Sequence, residues 1–390
     1  MERLRALCSP GLEPVLAKEL RGLGLAGGYV ASRAEAGGLD FQGSLRDIYR
    51  TNLRLRCAER VLLRFGEFSA SEFAELRRKA AALAWEKYLV PGRPVEFHVD
   101  CEGSRLYHER AVAERLEGAV ADRLGPWQKR ISLSSPGPRP TGRGKSPSAQ
   151  GAAQLVFVRL RGNVCSLSLD SSGELLHRRG YRLATAKAPL RETLACAMVL
   201  ASGWEAGAPL LDPFCGSGTI PIEAALLARR FAPGRARRFA FMEWPGFDAK
   251  LWDVLLEEAA NEVLPARPLI RASDRDAGAI RAARANAERA GVADGIEFSC
   301  RAFSAMEAPR GSGWVVTNPP YGVRLGKTGD LRDLYASFGS VLRERCPGWR
   351  ASVLCANRRL IRATGLRFEQ GLTTMNGGLT VTLASCSIGR

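Results

Sequence analysis

The stretch LLDPFCGSGTIPIEAA, residues 210–225, decides the fold. Its apolar start reads as a short buried strand ending on Asp212. Gly216-Ser217-Gly218 turns the chain, and the apolar run beyond it reads as a helix. Strand, glycine turn and helix in direct succession make one βα unit. Outward from it the unit repeats. PLIRASDRDAGAIRAARANAERAGV (268–292) reads strand, acidic turn, helix, with Asp274 closing the strand. GIEFSCRAF (295–303), WVVTNPP (314–320) and RASVLCA (350–356) read as further strands, with a helix at 330–345, a last strand pair near 366–386 and a leading helix in PLRETLACAMVLASGW (189–204). Repeated βα units predict an α/β fold with a mostly parallel, doubly wound sheet. In such sheets ligands sit at the carboxyl ends of the strands, where the unusual residues of this chain fall.

Upstream the pattern differs. GLEPVLAKELRGLG (11–24) has helical spacing, GGLDFQG (37–43) reads as a strand, and Ser44 can cap the helix LRDIYRTNLRLR. VLLRFGEF (61–68) and PVEFHVD (94–100) read as strands, and 72–89 as one long amphipathic helix ending before Pro91. HERAVAERLEGAVADRLG (108–125) is helical. AQLVFVRLRGNVCSLSLD (153–170) is a hairpin around Arg161-Gly162-Asn163. This mixture predicts small α+β units. SLSSPGPRPTGRGKSPSAQG (132–151) has no apolar period and reads as a flexible loop.

The chain of 390 residues carries 57 Lys+Arg against 40 Asp+Glu, a formal charge of +17. Residues 1–190 hold 31 basic and 20 acidic side chains, so the excess leans toward the N-terminal half. Such a balance points to a polyanionic partner, nucleic acid before anionic membrane. No apolar run is long enough to span a bilayer, and the N-terminus has no apolar core of a signal peptide. Ten cysteines without a C-x-x-C pair argue against a zinc ribbon and a disulfide framework, and fit a reducing, cytoplasmic setting. No metal, membrane or obligate protein partner is expected.

The strand ends suggest chemistry. Gly216 and Gly218 allow backbone amides to approach a ligand closely. The G-x-G-x-x-G spacing of dinucleotide sites and the GK[ST] of phosphate loops are missing, which disfavours nicotinamide nucleotides and ATP. Asp274 is placed to accept hydrogen bonds from the hydroxyls of a ribose. Asp276 suits the cap of the following helix. In TNPPYG (317–322) the Asn318 side-chain carbonyl and a proline backbone carbonyl can face one space and bind both hydrogens of an exocyclic amino group. Pro319 and Pro320 hold these acceptors rigid, and Tyr321 offers a stacking face. That predicts methyl transfer to a base amine, with Asn318, Pro319, Pro320 and Tyr321 as the catalytic set.

DPFCGSGT, SDRDAGAIRAARANAERAGV and TNPPYGVRLG, in this order, resemble the class I S-adenosylmethionine-dependent methyltransferases that modify exocyclic amines. LDSSGELLHRRGYRLATAKAPLRETLACAMVLASGW (169–204) and the N-terminal segments are similar to those of THUMP-domain RNA guanine-N2 methyltransferases, above all the N2-methylguanosine-forming half of bacterial bifunctional 23S rRNA enzymes. The resemblance implies a Rossmann-like domain at 189–390, a ferredoxin-like domain at 1–68, a THUMP domain at 69–170 and a linker at 171–188. It implies that Asp212, Pro213, Cys215, Gly216 and Gly218 line the methionine and adenosine of the cofactor, with Glu192 and Thr193 beside the methionine and Asp274 and Asp276 at the ribose. Ala302 and Phe303 fall at the adenine, where the family carries an acid at the Ala302 position. The implied partner is RNA, 23S rRNA first and tRNA second. Two other readings stay open: a DNA adenine-N6 enzyme, and a non-catalytic ribosome-assembly factor. Arg77, Arg78, Lys79, Arg178, Arg179 and Arg182 are candidate phosphate contacts.

Overall fold

The computed structural model describes residues 1–25, 37–125, 153–182, 190–265, 268–321 and 328–389. The 132–151 stretch lies outside the described residues, as do parts of 171–188 and of the TNPPYGVRLG run. The chain divides into two compact units, and the division is interleaved. One unit is built from 1–7, 20–176 and 237–256, the other from 8–19, 177–236 and 257–390.

The first unit holds β1 (Glu2–Leu7), the end of α1 (Glu13–Gly22), β2 (Gly38–Gly43), α2 (Leu45–Arg54), β3 (Arg60–Ser69), α3 (Phe73–Ala81), β4 (Val95–Glu102), α4 (Glu109–Leu124), β5 (Gln154–Arg161) and β6 (Val164–Asp170). Its six strands form one sheet in the order β2-β1-β3-β6-β5-β4, antiparallel except for β4–β5. Ser44 starts α2 as expected, its N–H donating to Asp47 Oδ2 at 2.8 Å. The β5–β6 turn is made by Gly162 and Asn163, both with positive φ (54° and 67°), as a two-residue hairpin requires. The long helix expected at 72–89 breaks after Ala81. Trp85 turns inward instead, fully buried, with Nε1 donating to Ala80 O at 2.7 Å and its ring 4.8 Å from Phe65. Burying a tryptophan outweighs the helix preference of an alanine-rich run. The returning segment 237–256 packs its aromatics on Tyr49, with Phe241 stacked at 4.4 Å and the Asp248 N–H donating to the Tyr49 hydroxyl at 3.0 Å.

The second unit holds α5 (Glu192–Ala201), β7 (Leu210–Asp212), α6 (Thr219–Ala228), the end of α7 (Ala249–Asn261), β8 (Ile270–Asp274), α8 (Ala277–Ala290), β9 (Ile296–Cys300), β10 (Trp314–Thr317), α9 (Thr328–Arg345), β11 (Arg350–Cys355), α10 (Arg358–Ala363), β12 (Glu369–Asn376) and β13 (Leu379–Ser387). The sheet order is β12-β13-β11-β10-β7-β8-β9. The five strands from β11 to β9 are parallel, and β13 and β12 close the edge antiparallel. The α/β, doubly wound class read from the sequence is the one found. The order reverses between β7 and β10, so the ends of these two strands flank the switch point where such sheets bind ligands. No described helix is long and apolar enough to cross a membrane.

Candidate active site

Three strand ends meet at the switch point through hydrogen bonds. Asp212 closes β7 and is 1 % exposed. Its Oδ1 accepts from Thr317 Oγ1 at 2.6 Å, at the end of β10, and from the Phe214 N–H at 3.3 Å. Its Oδ2 is buried with no hydrogen-bond partner among the described residues. Burial pushes the Asp212 carboxyl up to about 7, although the Thr317 and Phe214 hydrogen bonds pull the other way and Asp274 adds repulsion. Asp274, at the end of β8, accepts from the Gly216 N–H through Oδ2 and from the Asp276 N–H through Oδ1, both at 3.0 Å. The Asp274 carboxylate is thereby oriented by the glycine turn. Asp276 caps α8, accepting from Gly278 N at 2.7 Å.

The turn itself is strained in the way glycine tolerates. Gly216 has φ +51° with nothing within 4 Å of where a Cβ would stand. Gly218 has φ +83°, and a Cβ there would meet Ala283 Cβ at 3.0 Å. Gly216 thus leaves an open approach, while Gly218 serves close packing against α8. Pro213 and Cys215 are buried beside them. Burial next to Asp212 and Asp274 holds the Cys215 thiol well above its ordinary range, so it stays protonated and is no nucleophile. A cavity of about 150 Å³ lies beside β7, β8 and β9, lined by Asp212, Pro213, Arg271, Ser273, Glu297 and Met306 among others; of the candidate site residues only Asp212 and Pro213 reach it. It is smaller than the roughly 300–1,000 Å³ of usual ligand sites, so by itself it does not hold a cofactor.

Asn318 follows Thr317 directly. Its Oδ1 is buried and accepts no hydrogen bond among the described residues. A buried acceptor left bare costs about 1–3 kcal/mol. Such a cost is retained where a ligand supplies the donor. Pro319 is buried and Pro320 half-buried. Tyr321 is half-buried, its hydroxyl accepting from Asn376 Nδ2 at 2.9 Å and its ring packed on a cluster of Leu331, Tyr335, Cys355 and Leu360.

Glu192 and Thr193 open α5, both 2 % exposed. Glu192 faces Arg182, with Nη2 at 3.2 Å from its carboxylate. Burial raises its carboxyl to about 7 against the pull of Arg182. Nearby, Arg179 pairs with Glu223 inside the fold, and the Tyr181 hydroxyl donates to the other oxygen of Glu223 at 2.8 Å. Arg179 and Arg182 therefore face inward, neutralising buried acids, and are not the phosphate contacts expected of them. Arg77 and Lys79 are likewise engaged, with Asp122 and Glu75 at 2.7 Å. Ala302 is exposed and brings no acid to the place where the resemblance implies the adenine. Phe303 stacks on Phe214 at 5.2 Å and meets Phe338 edge-on at 5.8 Å.

Three residues escaped the sequence reading. Thr317 carried a signal, a hydroxyl ending an apolar strand. Asn376 carried none, because its partner Tyr321 is 55 positions away. Asn286, buried in α8, donates to Ser217 O at 3.0 Å and steadies the glycine turn from behind.

These residues fit a nucleoside cofactor: an open glycine turn, an oriented carboxylate and a bare buried acceptor stand at the carboxyl ends of neighbouring strands. Comparison with known proteins identifies the family. Residues 3–62 match the RlmL ferredoxin-like domain. The chain is 38% identical to the ribosomal RNA large subunit methyltransferase K/L of Syntrophotalea carbinolica, over 98% of this chain and 53% of that protein. It spans about half the length of such curated relatives. It is 35% identical to the putative RNA methyltransferase slr0064 of Synechocystis sp., over 97% of this chain and 94% of that protein. Among solved structures, SMU.472, a putative methyltransferase complexed with SAH, superposes with a TM-score of 0.84 at 30% identity, covering 100% of this chain and 98% of its own. Residues 179–385 match the UPF0020 family, described as RMKL-like, methyltransferase domain, and the chain belongs to that family.

Proposed function

We propose that this chain transfers a methyl group from S-adenosylmethionine to the exocyclic N2 of a guanine in structured RNA, with large-subunit rRNA as the substrate. The bare, buried Oδ1 of Asn318 carries this reading. A guanine amine is a poor nucleophile because its lone pair is delocalised into the ring. The Asn318 oxygen, with the neighbouring proline carbonyl, accepts hydrogen bonds from that amine and favours its tetrahedral form. Thr317, tied to Asp212 at 2.6 Å, and the two prolines keep the acceptors from moving, so little reorganisation is needed as the bond forms. The Tyr321 ring, held by Asn376, gives the extruded base a stacking wall. S-adenosylmethionine, when bound, supplies an electrophilic methyl on a sulfonium. Asp274 would hold its ribose, Gly216 would let it lie against the backbone, and Asp212 and Glu192 would face its positive groups. Asp276, whose Oδ1 caps α8, would act on the ribose through its remaining oxygen. The chain would work in the cytoplasm. Residues 1–68 and 69–170 would act as ferredoxin-like and THUMP parts that hold surrounding RNA by phosphates and shape.

Asn318→Ala is expected to lower turnover by about 10²–10³, the usual loss for a transition-state hydrogen bond, while S-adenosylhomocysteine binding by calorimetry persists. Unchanged turnover would take Asn318 out of the mechanism. Nucleoside mass spectrometry of rRNA and tRNA from a deletion strain tests the substrate. Loss of one N2-methylguanosine from large-subunit rRNA supports the proposal, and loss from tRNA alone overturns that part of it.

A further inference from the structure

The last strands of the second unit carry an unbalanced charge. Residues 346–389 contain five arginines, no lysine and one acid, Glu369. Four of the arginines, Arg358, Arg359, Arg362 and Arg367, lie on α10 and the turn after it, and all four are exposed. None enters an ion pair or a side-chain hydrogen bond among the described residues. The cations on α3 and α4 differ: Arg77 pairs with Asp122, Lys79 with Glu75 and Arg123 with Glu86, each at 2.7 Å. These three cations are cancelled locally, and the four arginines of α10 and its turn are not.

The location gives this excess a purpose. Thr317 on β10 pairs with Val353 on β11, so α10 leaves the sheet at the edge where Asn318 stands. The inner side of α10, Leu360 and Ile361, packs in the cluster that supports the Tyr321 ring. The backbone under the arginines is fixed. Asn357 Oδ1 accepts from the Arg359 N–H at 2.9 Å, Arg343 Nη1 donates to Thr364 O at 2.9 Å, and Gly339 of α9 lets that same carbonyl approach closely.

We propose that Arg358, Arg359, Arg362 and Arg367 form a platform that grips the RNA backbone flanking the base presented to Asn318. The inference rests on the methyl-transfer reading of that pocket and adds to it how the target strand is held. Planar guanidinium forks match phosphate oxygens in pairs. A membrane surface is the weaker occupant, because no large apolar side chain is exposed on α10 or the turn after it to anchor one.

The test replaces all four arginines with glutamine in the full chain. Binding of a labelled RNA hairpin is followed by fluorescence anisotropy across a salt series, beside methyl transfer to protein-free rRNA. Single-stranded phosphate contacts contribute roughly 0.7 each to the slope of log affinity on log salt, so the slope should fall by about 3. KM for RNA should rise at least about tenfold, while turnover at saturating RNA and S-adenosylhomocysteine affinity stay near wild type. A control variant lacking Arg77 and Arg123 should keep the wild-type slope. Wild-type slope and KM in the fourfold variant, with wild-type protein binding RNA, overturn this inference alone. An equal loss in the control variant also overturns it. Wild-type protein that binds no RNA overturns the methyl-transfer reading with it. Loss of binding to phosphatidylserine vesicles with RNA binding intact assigns the patch to lipid and overturns the proposal.

Discussion

At the scale of single residues, two buried carboxyls behave unusually. Asp212 and Glu192 are each raised to about 7 by burial. An unfolded Asp or Glu titrates near 4. In the folded chain these groups therefore keep their protons from about pH 4 to about 7 while the unfolded chain loses them. Their contribution to stability is full at low pH and falls as pH rises through that window. Cofactor binding should run the opposite way. S-adenosylmethionine is cationic at its sulfonium and ammonium, and two carboxylates favour it only once ionised. Affinity is expected to strengthen between pH 6 and 8 with an apparent pKa near 7, with proton release seen by calorimetry in buffers of different ionisation enthalpy. Asp212→Asn should flatten part of that profile, and affinity that is level across the range in the native chain would refute the assignment. Asp212 was legible in the sequence because a polar residue ending an apolar strand stands out, whereas Glu192, which opens α5, came only from the resemblance. Their protonation was not legible, since it depends on Thr317, Arg182 and Glu223, which reach them only in the fold.

At the scale of elements, strands were the easiest to read. WVVT and RASVLC are buried runs bounded by proline, glycine or a polar turn, and both lie where expected. The helix at 72–89 misled, because its alanines and leucines satisfy helical spacing while the decisive contact of Trp85, with Phe65 and Phe97, is distant in sequence. The short helix α10 was missed for a related reason: six residues carry too little period, and its packing on α9 sets it. That packing turns on Gly339. A Cβ there would stand 1.9 Å from Thr364 O. Gly339→Ala should therefore separate α9 from α10, at a cost of about 1–3 kcal/mol typical of overpacking. A drop in the denaturation midpoint would register it, and a midpoint equal to that of the native chain would show that the helices yield freely.

At the scale of the whole molecule, the resemblance suggested domains in linear order, and the units found are threaded through each other in sequence. Residues 8–19 belong with the C-terminal sheet, where Gly11, at φ +91°, lies so near Thr373 that a Cβ would fall 1.8 Å from its carbonyl oxygen. Leu12 and Leu16 are buried at 1 % and 0 %. A fragment starting at residue 177 lacks this piece and forfeits buried leucines worth about 2–5 kcal/mol each. It should melt well below the full chain by calorimetry and bind S-adenosylhomocysteine weakly. A fragment with the full melting temperature and affinity would mean that the N-terminal piece is dispensable.

The aromatic segment 237–256 that closes over Tyr49 has a bearing on how the protein is made. The first unit's sheet is translated by residue 170, but its last wall emerges about 80 residues later, roughly 4–16 s at ordinary bacterial elongation rates. Through that interval the nascent chain displays an unfinished hydrophobic surface. The gene's own order of synthesis thus makes chaperone capture during translation, rather than after release, the natural point at which yield is won or lost.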